Sequence, residues 1–143
     1  MQLGTEQRQA ASRQNMLTIF KGLTLYAENH GNSFPDDPHI LYDKYVTDLN
    51  TFTSPLWPDE TAYTYVSGVQ KSDAPTTILL IENAPAQKAR MGRHVLMLDG
   101  HIEHLLDTEA ASRLSAQEEK WKAAGRRWKL VPIELDKLKK SSD

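Results

Sequence analysis

The apolar positions of the chain predict one long helix, an irregular stretch, a group of strands and a closing helix. Between residues 6 and 30 the apolar side chains recur at helical spacing, at Met16, Ile19, Phe20, Leu23, Tyr26 and Ala27. This spacing predicts an amphipathic helix whose stripe fades before Ala10. Gly31 can take the left-handed position that ends the helix, and Pro35 prevents its continuation.

The stretch from Asn32 to Glu60 contains several prolines and aspartates and has no sustained periodicity. A short helix is predicted within it at Ile40–Val46, with its buried face formed by Leu41, Tyr45 and Val46. Irregular segments of this length are uncommon in compact domains and usually have a specialised role.

Two strands are predicted next. Residues 62–67 alternate between two faces, and residues 76–82 form a continuous β-branched and apolar run that suits a strand buried on both sides. A hairpin then joins Val95–Leu98 to His101–Leu105 through the pair Asp99-Gly100. This pair between apolar segments predicts a two-residue type I′ turn, in which both turn residues have positive φ.

The remaining chain is predicted to form a second helix, an extended segment and a short helical tail. The helix is expected over residues 108–124, capped by Asp107 or Thr108 and ended by Gly125. The extended segment is expected at 128–133 and the tail helix at 134–140. Because helices and strands are grouped rather than alternating, the fold class is predicted as α+β.

Composition narrows the function classes. The chain has 143 residues, a net charge of -2 and no cysteine. This length suits one domain, and the absence of cysteine excludes disulfides, thiol catalysis and thiolate zinc sites. The near-neutral charge provides no bulk attraction to nucleic acid or anionic lipid. No apolar run reaches the length of a membrane helix.

Candidate metal ligands occur around the hairpin at His94, His101, Glu103 and His104. Strand alternation places His101 and Glu103 on one face and His104 on the other, so we predict ordinary sheet-surface side chains and no metal. A calcium site at Asp36, Asp37, Asp48 and Asp59 is the second possibility. Aspartates beside prolines are more simply explained as turn and cap residues.

Two further kinds of site receive little support. The closing helix and its exit carry a mixture of basic and aromatic residues, namely Lys120, Trp121, Lys122, Arg126, Arg127, Trp128 and Lys129. Because Glu118 and Glu119 are adjacent, we interpret this segment as a solvated helix end rather than a nucleic-acid site. The chain has no nucleophile elbow and no phosphate-binding glycine pattern, so no enzyme activity and no cofactor are predicted.

Three segments resemble one protein family. They are the helix end with its exit Gly31-Asn32-Ser33-Phe34-Pro35, the segment Phe52-Thr53-Ser54-Pro55, and the hairpin Val95–Leu105. Together they resemble the soluble part of type IV pilin-like pseudopilins, in particular the planctomycete-type branch related to type II secretion protein G. The chain departs from that pattern at Ser54, where relatives often have cysteine, and at Ala89, where they often have histidine.

The resemblance implies a pilin-like fold in which the long helix packs on a small antiparallel sheet, followed by an additional C-terminal helix. It divides the chain into a polar extension at a truncation point (1–9), a pilin-like domain (10–106) and a C-terminal helix and tail (107–143). The prepilin signal and its hydrophobic helix are missing, so the anchor is expected upstream. Gly31, Pro35, Asp99 and Gly100 are then turn and cap residues.

The implied function is that of a structural filament subunit in a type II secretion-like or type IV pilus-like assembly. Its partners would be other pseudopilins and the assembly machinery. Its location would be periplasmic or at the cell surface, with an inner-membrane anchor, while the fragment itself is expected to be soluble. Two alternatives stay open: a ligand-binding module that uses the Asn32–Glu60 stretch and Trp57, and a metal-dependent enzyme built on His94, His101 and Glu103.

Overall fold

The computed structural model describes residues 5–53, 61–83 and 92–141. The described chain is α+β, with a long N-terminal helix, a five-stranded antiparallel sheet and further helices. The helices are α1 (Thr5–Asn29), α2 (Asp107–Ala123) and α3 (Leu135–Ser141), with two short 3₁₀ helices at Pro38–Leu41 and Leu49–Phe52. The strands are β1 (Tyr63–Ser67), β2 (Ile78–Glu82), β3 (Arg93–Met97), β4 (Ile102–Leu105) and β5 (Lys129–Pro132).

Helix α1 follows its predicted span and ends as its sequence indicates. The amide of Asn32 donates to the carbonyl of Ala27 at 2.7 Å, and Gly31 has a φ of 65°. This hydrogen bond between residues five positions apart, with a left-handed glycine between them, is the Schellman motif. It satisfies a carbonyl left free at the helix end. Four members of the predicted stripe, Met16, Ile19, Leu23 and Ala27, are 0% exposed, and the other two, Phe20 and Tyr26, are partly buried.

The sheet has the order β4-β3-β2-β1-β5, and all pairs are antiparallel. Every residue of β2 is buried, as its continuous apolar run predicts for a central strand. Side chains of adjacent strand residues point to opposite faces. Glu82 and His94 face α1, whereas their neighbours Ile81 and Arg93 line a small cavity against α2. The sheet therefore lies between α1 and α2.

The predicted type I′ turn at Asp99-Gly100 is wrong. Among the described non-glycine residues, Asp99 does not belong to those with positive φ, whereas Gly100 has a φ of 89°. The amide of Met97 donates to the carbonyl of His101, and the amide of Gly100 donates to that of Met97, so three residues form the loop. This is the longer hairpin connection, with a left-handed glycine in its last position.

Hydrogen bonds from the segment that precedes β2 explain why the hairpin has a three-residue loop. The amide of Leu98 donates to the carbonyl of Thr77 at 2.8 Å, and that of Asp99 donates to Pro75 at 3.2 Å. The amides of Leu98 and Asp99 are thus bonded to the segment before β2. Leu98 therefore belongs to the loop and does not pair with β4. Such contacts across the sheet are not visible in a local sequence pattern.

The predicted helix at Ile40–Val46 is also wrong. The chain instead forms the two 3₁₀ helices, each started by an aspartate: Asp37 accepts from the amide of His39 and Asp48 from that of Asn50. Asp43 then has a φ of 76°, and this left-handed backbone prevents an α-helix from running through residues 40–46. The expected burial survives in part, since Leu41 and Val46 are buried and Tyr45 is partly exposed.

Helix α2 begins at Asp107, but neither predicted residue caps it. Leu106 occupies the cap position and makes no side-chain cap bond. The carboxylate of Asp107 instead pairs with Arg93 on β3. Gly125 follows the helix with a φ of 72°, as expected of a terminating glycine.

The segment beyond residue 107 is integrated into the sheet. Strand β5 pairs with β1, and Ile133 and Leu138 are 1% and 0% exposed. The C-terminal tail therefore supplies an edge strand and part of the core. Residues 5–9 of the predicted extension form the first turns of α1. Among the described residues, no helix is both long and apolar enough to cross a membrane.

Candidate functional site

A buried polar network joins α1 to the centre of the sheet. The hydroxyl of Ser12 donates to Glu82 and lies 2.9 Å from the hydroxyl of Tyr63. The other oxygen of Glu82 accepts from both the backbone amide and the ring Nδ1 of His94, at 3.1 and 3.0 Å. All four residues are at most 2% exposed. One carboxylate thus connects a helix with two neighbouring strands.

The elements of the fold bring these groups together. Ser12 lies on the apolar stripe of α1, four residues before Met16, and therefore faces the sheet. Tyr63 is the direct cross-strand partner of Glu82. His94 lies on β3, the neighbour of β2 on the other side. The sequence analysis missed Ser12, Tyr63 and Glu82.

Two sequence signals could have indicated these residues. Glu82 is a charged residue at the end of the apolar run Ile78–Ile81, where a buried carboxylate needs partners. Ser12 continues the helical stripe with a polar side chain. Neither signal identifies a partner, because the two residues are 70 positions apart.

Hydrogen bonds determine the charge of the network. Burial acts to raise the pKa of Glu82, but the hydrogen bonds from His94 and Ser12 outweigh it and hold the pKa below its ordinary value. Burial raises the pKa of Tyr63 to about 12. Glu82 is therefore an anion that accepts bonds from Ser12 and His94, while the Tyr63 phenol stays protonated.

Although it contains serine, histidine and glutamate, this network lacks the geometry of a nucleophilic triad. The Ser12 hydroxyl bonds to Glu82, and the other ring nitrogen of His94, Nε2, bonds to the guanidinium of Arg13 at 3.4 Å. A triad needs the histidine nitrogen on the nucleophile. Since Ser12 is 0% exposed, its hydroxyl also has no open face toward a substrate. The arrangement of Ser12, Tyr63, Glu82 and His94 instead holds α1 on the sheet, and we call it the buried clamp.

The structure separates the three residues of the metal-enzyme hypothesis. His101 Nε2 lies 3.2 Å from Glu103, which also bonds to Arg113 of α2. His94 lies on the opposite face, where its ring packs edge-on against His104 with centroids 5.0 Å apart. The prediction that His101 and His104 occupy opposite faces is confirmed. Within the described ranges, no group of three or more His, Asp or Glu side chains could hold a metal ion.

The aspartates considered for calcium have local roles. Asp37 and Asp48 start the 3₁₀ helices, and the Asp37 carboxylate also accepts from Nδ1 of His39. Asp36 is exposed in the loop that precedes them. Asp59 lies outside the described residues, as do Trp57, Ser54 and Ala89.

The basic and aromatic residues near the end of α2 do not form one exposed patch. The guanidinium of Arg126 binds both oxygens of Asp73, at 2.6 and 2.9 Å, and the carbonyl of Gly68 at 2.7 Å. It also lies over the ring of the buried Trp121, 4.7 Å from its centroid. Arg126 therefore ties the end of α2 to the chain between β1 and β2.

The predicted turn and cap residues have structural contacts. Phe20 of α1 packs against Gly100, where an added Cβ would lie 3.0 Å from the ring. Asp99 accepts from the amide of His101 at 2.9 Å. Pro35 is buried, and its carbonyl accepts from the hydroxyl of Tyr65 at 2.7 Å. The loop after α1 is thus anchored to β1 as well as redirected by its proline.

An open groove lies between α2 and the start of β2. Its volume is about 630 Å³, and its lining combines small residues of α2 with polar side chains that include Arg113 and Lys120. Gln117 forms one wall, because its amide group donates to and accepts from the backbone of Ile78 at 3.1 and 2.7 Å. The Gln117 side chain thus bonds the backbone of Ile78 as a neighbouring strand would. This contact lies beside the register shift between Ile78 and Leu80 in the pairing of β2 with β3.

Comparisons of the chain with protein-family models, with curated proteins and with solved structures find no match in any of the three.

Proposed function

We propose that the chain is the globular part of a pilin-like filament subunit, a pseudopilin of a type II secretion-like or type IV pilus-like assembly. Its role is structural, and it has no catalytic activity. The subunit is anchored in the inner membrane by an apolar segment preceding α1, and its globular part lies in the periplasm or at the cell surface. Its partners are other subunits and the assembly machinery.

The observation that carries this proposal is the asymmetry of α1. The helix has 25 residues, which corresponds to a length of about 37 Å. From Ser12 onward it buries an apolar stripe, whereas residues 7 and 10 are exposed and residues 8, 9 and 11 are only partly buried. A helix that continues beyond its own core can serve as a connection to a second structure. The sequence resemblance supplies the nature of that structure, a filament.

The buried clamp supports the same role. Ser12 is the first buried residue of α1, and its bond to Glu82 lies at the point where the helix leaves the sheet. If α1 always leaves the domain in the same direction, identical subunits can repeat the same head-to-tail contact. When repetition of that contact does not close into a ring, it produces a filament. A network without an accessible nucleophile is also consistent with a structural protein.

Two experiments test the proposal. The first is to read the gene upstream of Met1, where we expect a prepilin-type junction followed by about 20 apolar residues, the length of a membrane helix. The second places a photo-crosslinking amino acid at the exposed Ala10 in the full-length protein in its own cells. Irradiation should give a ladder of multimers.

The matched control carries the same photo-crosslinker at Ser112, an exposed position on α2. It should give no comparable ladder if the subunits meet through α1. An upstream sequence without an apolar segment, or equal multimer ladders from both positions, would contradict the proposal.

A ligand-binding module is the second candidate. The groove beside α2 favours it, at a place different from the Asn32–Glu60 stretch named in the sequence analysis. Its volume of about 630 Å³ lies in the range of small-molecule sites. The test is a thermal-shift screen of small molecules with Ala116→Leu as a variant that narrows the groove. A compound that stabilises the parent protein and not this variant would support binding there, and a screen without such a compound would count against it.

A further inference from the structure

His39 connects two parts of the chain that are 95 residues apart. It is 2% exposed and belongs to the first 3₁₀ helix. Its ring nitrogen Nδ1 donates to the carboxylate of Asp37, and its Nε2 accepts from the backbone amide of Glu134 at 2.9 Å. Both nitrogens are therefore used, and the ring is in one defined neutral tautomer.

The bond to Glu134 lies where the C-terminal segment docks. Strand β5 ends at Pro132, and Ile133 and Leu138 on either side of Glu134 are almost completely buried. Helix α3 packs on both 3₁₀ helices. His39 thus adds a side-chain hydrogen bond to an attachment made by the buried side chains of Ile133 and Leu138 and by the bond from the Ile133 amide to the Tyr63 carbonyl.

A proton on this ring would affect its two bonds differently. Imidazolium has hydrogen on both nitrogens, so Nε2 could no longer accept from the Glu134 amide and two donors would face each other. The bond to Asp37 would remain and become charge-assisted. The ion pair of Lys137 with the Glu134 side chain, at 3.1 Å, places further charges beside the ring on the α3 side.

The carboxylate beside the ring stays charged in mild acid. Burial acts to raise the pKa of Asp37, but hydrogen bonds from the amide and ring of His39 outweigh it and hold the pKa below its ordinary value. A second proton on the ring would therefore lie between the Asp37 anion and the Glu134 amide.

We propose that His39 is a proton-operated latch for the C-terminal segment 134–141. With a neutral ring the latch holds α3 on the 3₁₀ helices. Protonation breaks the Nε2 bond to Glu134 and releases this segment, while the central strands of the sheet stay folded. Because Nε2 cannot both bear a proton and accept from the Glu134 amide, the latch opens when the ring takes up a second proton. This regulation is independent of the filament proposal.

Hydrogen exchange measured at about pH 7.5 and about pH 5, after correction for intrinsic rates, tests the latch. Amides of residues 134–141 should exchange about tenfold faster at the lower pH, the factor expected for one lost buried hydrogen bond. Amides of β2 and β3 should keep their protection. Uniform acceleration across the sheet, or no change in the C-terminal segment, would overturn the proposal.

Two variants separate a latch from a general effect of acid. In His39→Gln the amide oxygen can accept from Glu134 without titrating, so the C-terminal segment should show the same protection at both pH values. An acid response equal to that of the parent would refute the latch. In Asp37→Asn the charge that favours protonation is absent, so release should move to lower pH.

Nuclear magnetic resonance gives a direct readout. The Glu134 amide signal and the His39 ring signal should change with the same midpoint in a pH titration. Different midpoints would show that another group controls the segment and would reject the proposal.

Discussion

Gly100 and Gly31 both have left-handed backbones but differ in their surroundings. Gly31 has no neighbour within 4 Å of an added Cβ, whereas the Cβ at Gly100 would lie 3.0 Å from Phe20. Gly31→Ala should therefore lower the unfolding free energy by about 1 kcal/mol, because alanine is less stable than glycine in the left-handed conformation. Gly100→Val should cost more, about 2 kcal/mol or above, because a β-branched residue in the left-handed region also displaces Phe20.

Urea unfolding of both glycine variants checks this difference. An unchanged stability of Gly100→Val would reject the turn geometry described for Asp99 and Gly100. Equal losses in the two variants would reject the contribution of Phe20.

Glu82 makes stability depend on pH. Its folded-state pKa is held below the ordinary value of 4.5, so the unfolded chain takes up its proton first as the pH falls. The contribution of Glu82 is therefore complete above about pH 5 and is lost as the pH falls through the folded-state value. Glu82→Gln should lower the unfolding free energy at neutral pH by about 2 kcal/mol, and the loss should become smaller in acid.

The measurement is urea unfolding of both proteins from neutral pH down to about pH 3. Asp73→Asn is a useful comparison, since hydrogen bonds from Arg126 and Gln70 outweigh burial and lower the pKa of Asp73 as well. A constant difference between the parent and Glu82→Gln at all pH values would contradict the assigned charge.

At the scale of elements, Arg126 attaches the end of α2 to the chain between β1 and β2. Its pair with Asp73 is largely shielded, with side chains 23% and 12% exposed. Arg126→Lys keeps the charge but loses the two-pronged geometry. We expect a loss of about 2 kcal/mol in unfolding free energy, because the carboxylate and the Gly68 carbonyl lose donors.

Arg113 provides the matched control on the same helix. Its pair with Glu109 is exposed, with side chains 42% and 51% accessible. Arg113→Lys should change the unfolding free energy by about 0.5 kcal/mol or less, as exposed pairs generally do. Similar losses for the two lysine variants would show that shielding does not determine the strength of these pairs.

For the whole molecule, burial of the α1 stripe predicts the association state. Met16, Ile19, Leu23 and Ala27 are all 0% exposed within one chain, so this face is already used by the core. The chain should be a monomer in light scattering, and Leu23→Asp should unfold it rather than separate subunits. A tight dimer that this substitution converts into a folded monomer would contradict the prediction.

Local patterns accounted for much of the fold. The spans of α1 and α2, the buried run of β2, the left-handed glycines and the opposite faces of His101 and His104 all follow from spacing between near neighbours in sequence. The predicted helix at Ile40–Val46 is wrong because the first 3₁₀ helix ends at Leu41 and Asp43 has a φ of 76°, a left-handed backbone that interrupts an α-helix. The predicted turn is wrong because the chain near Thr77 binds the loop from across the sheet.

The sequence by itself determined the α+β class and the position of most elements, because helical and strand periodicities depend on neighbouring residues alone. Only the tertiary structure decided which polar side chains meet. Ser12 with Glu82, Arg126 with Gly68 and His39 with Glu134 are separated by 70, 58 and 95 residues. Such pairs form because a buried polar group must find a partner within the folded core, and no local pattern specifies its position in the chain.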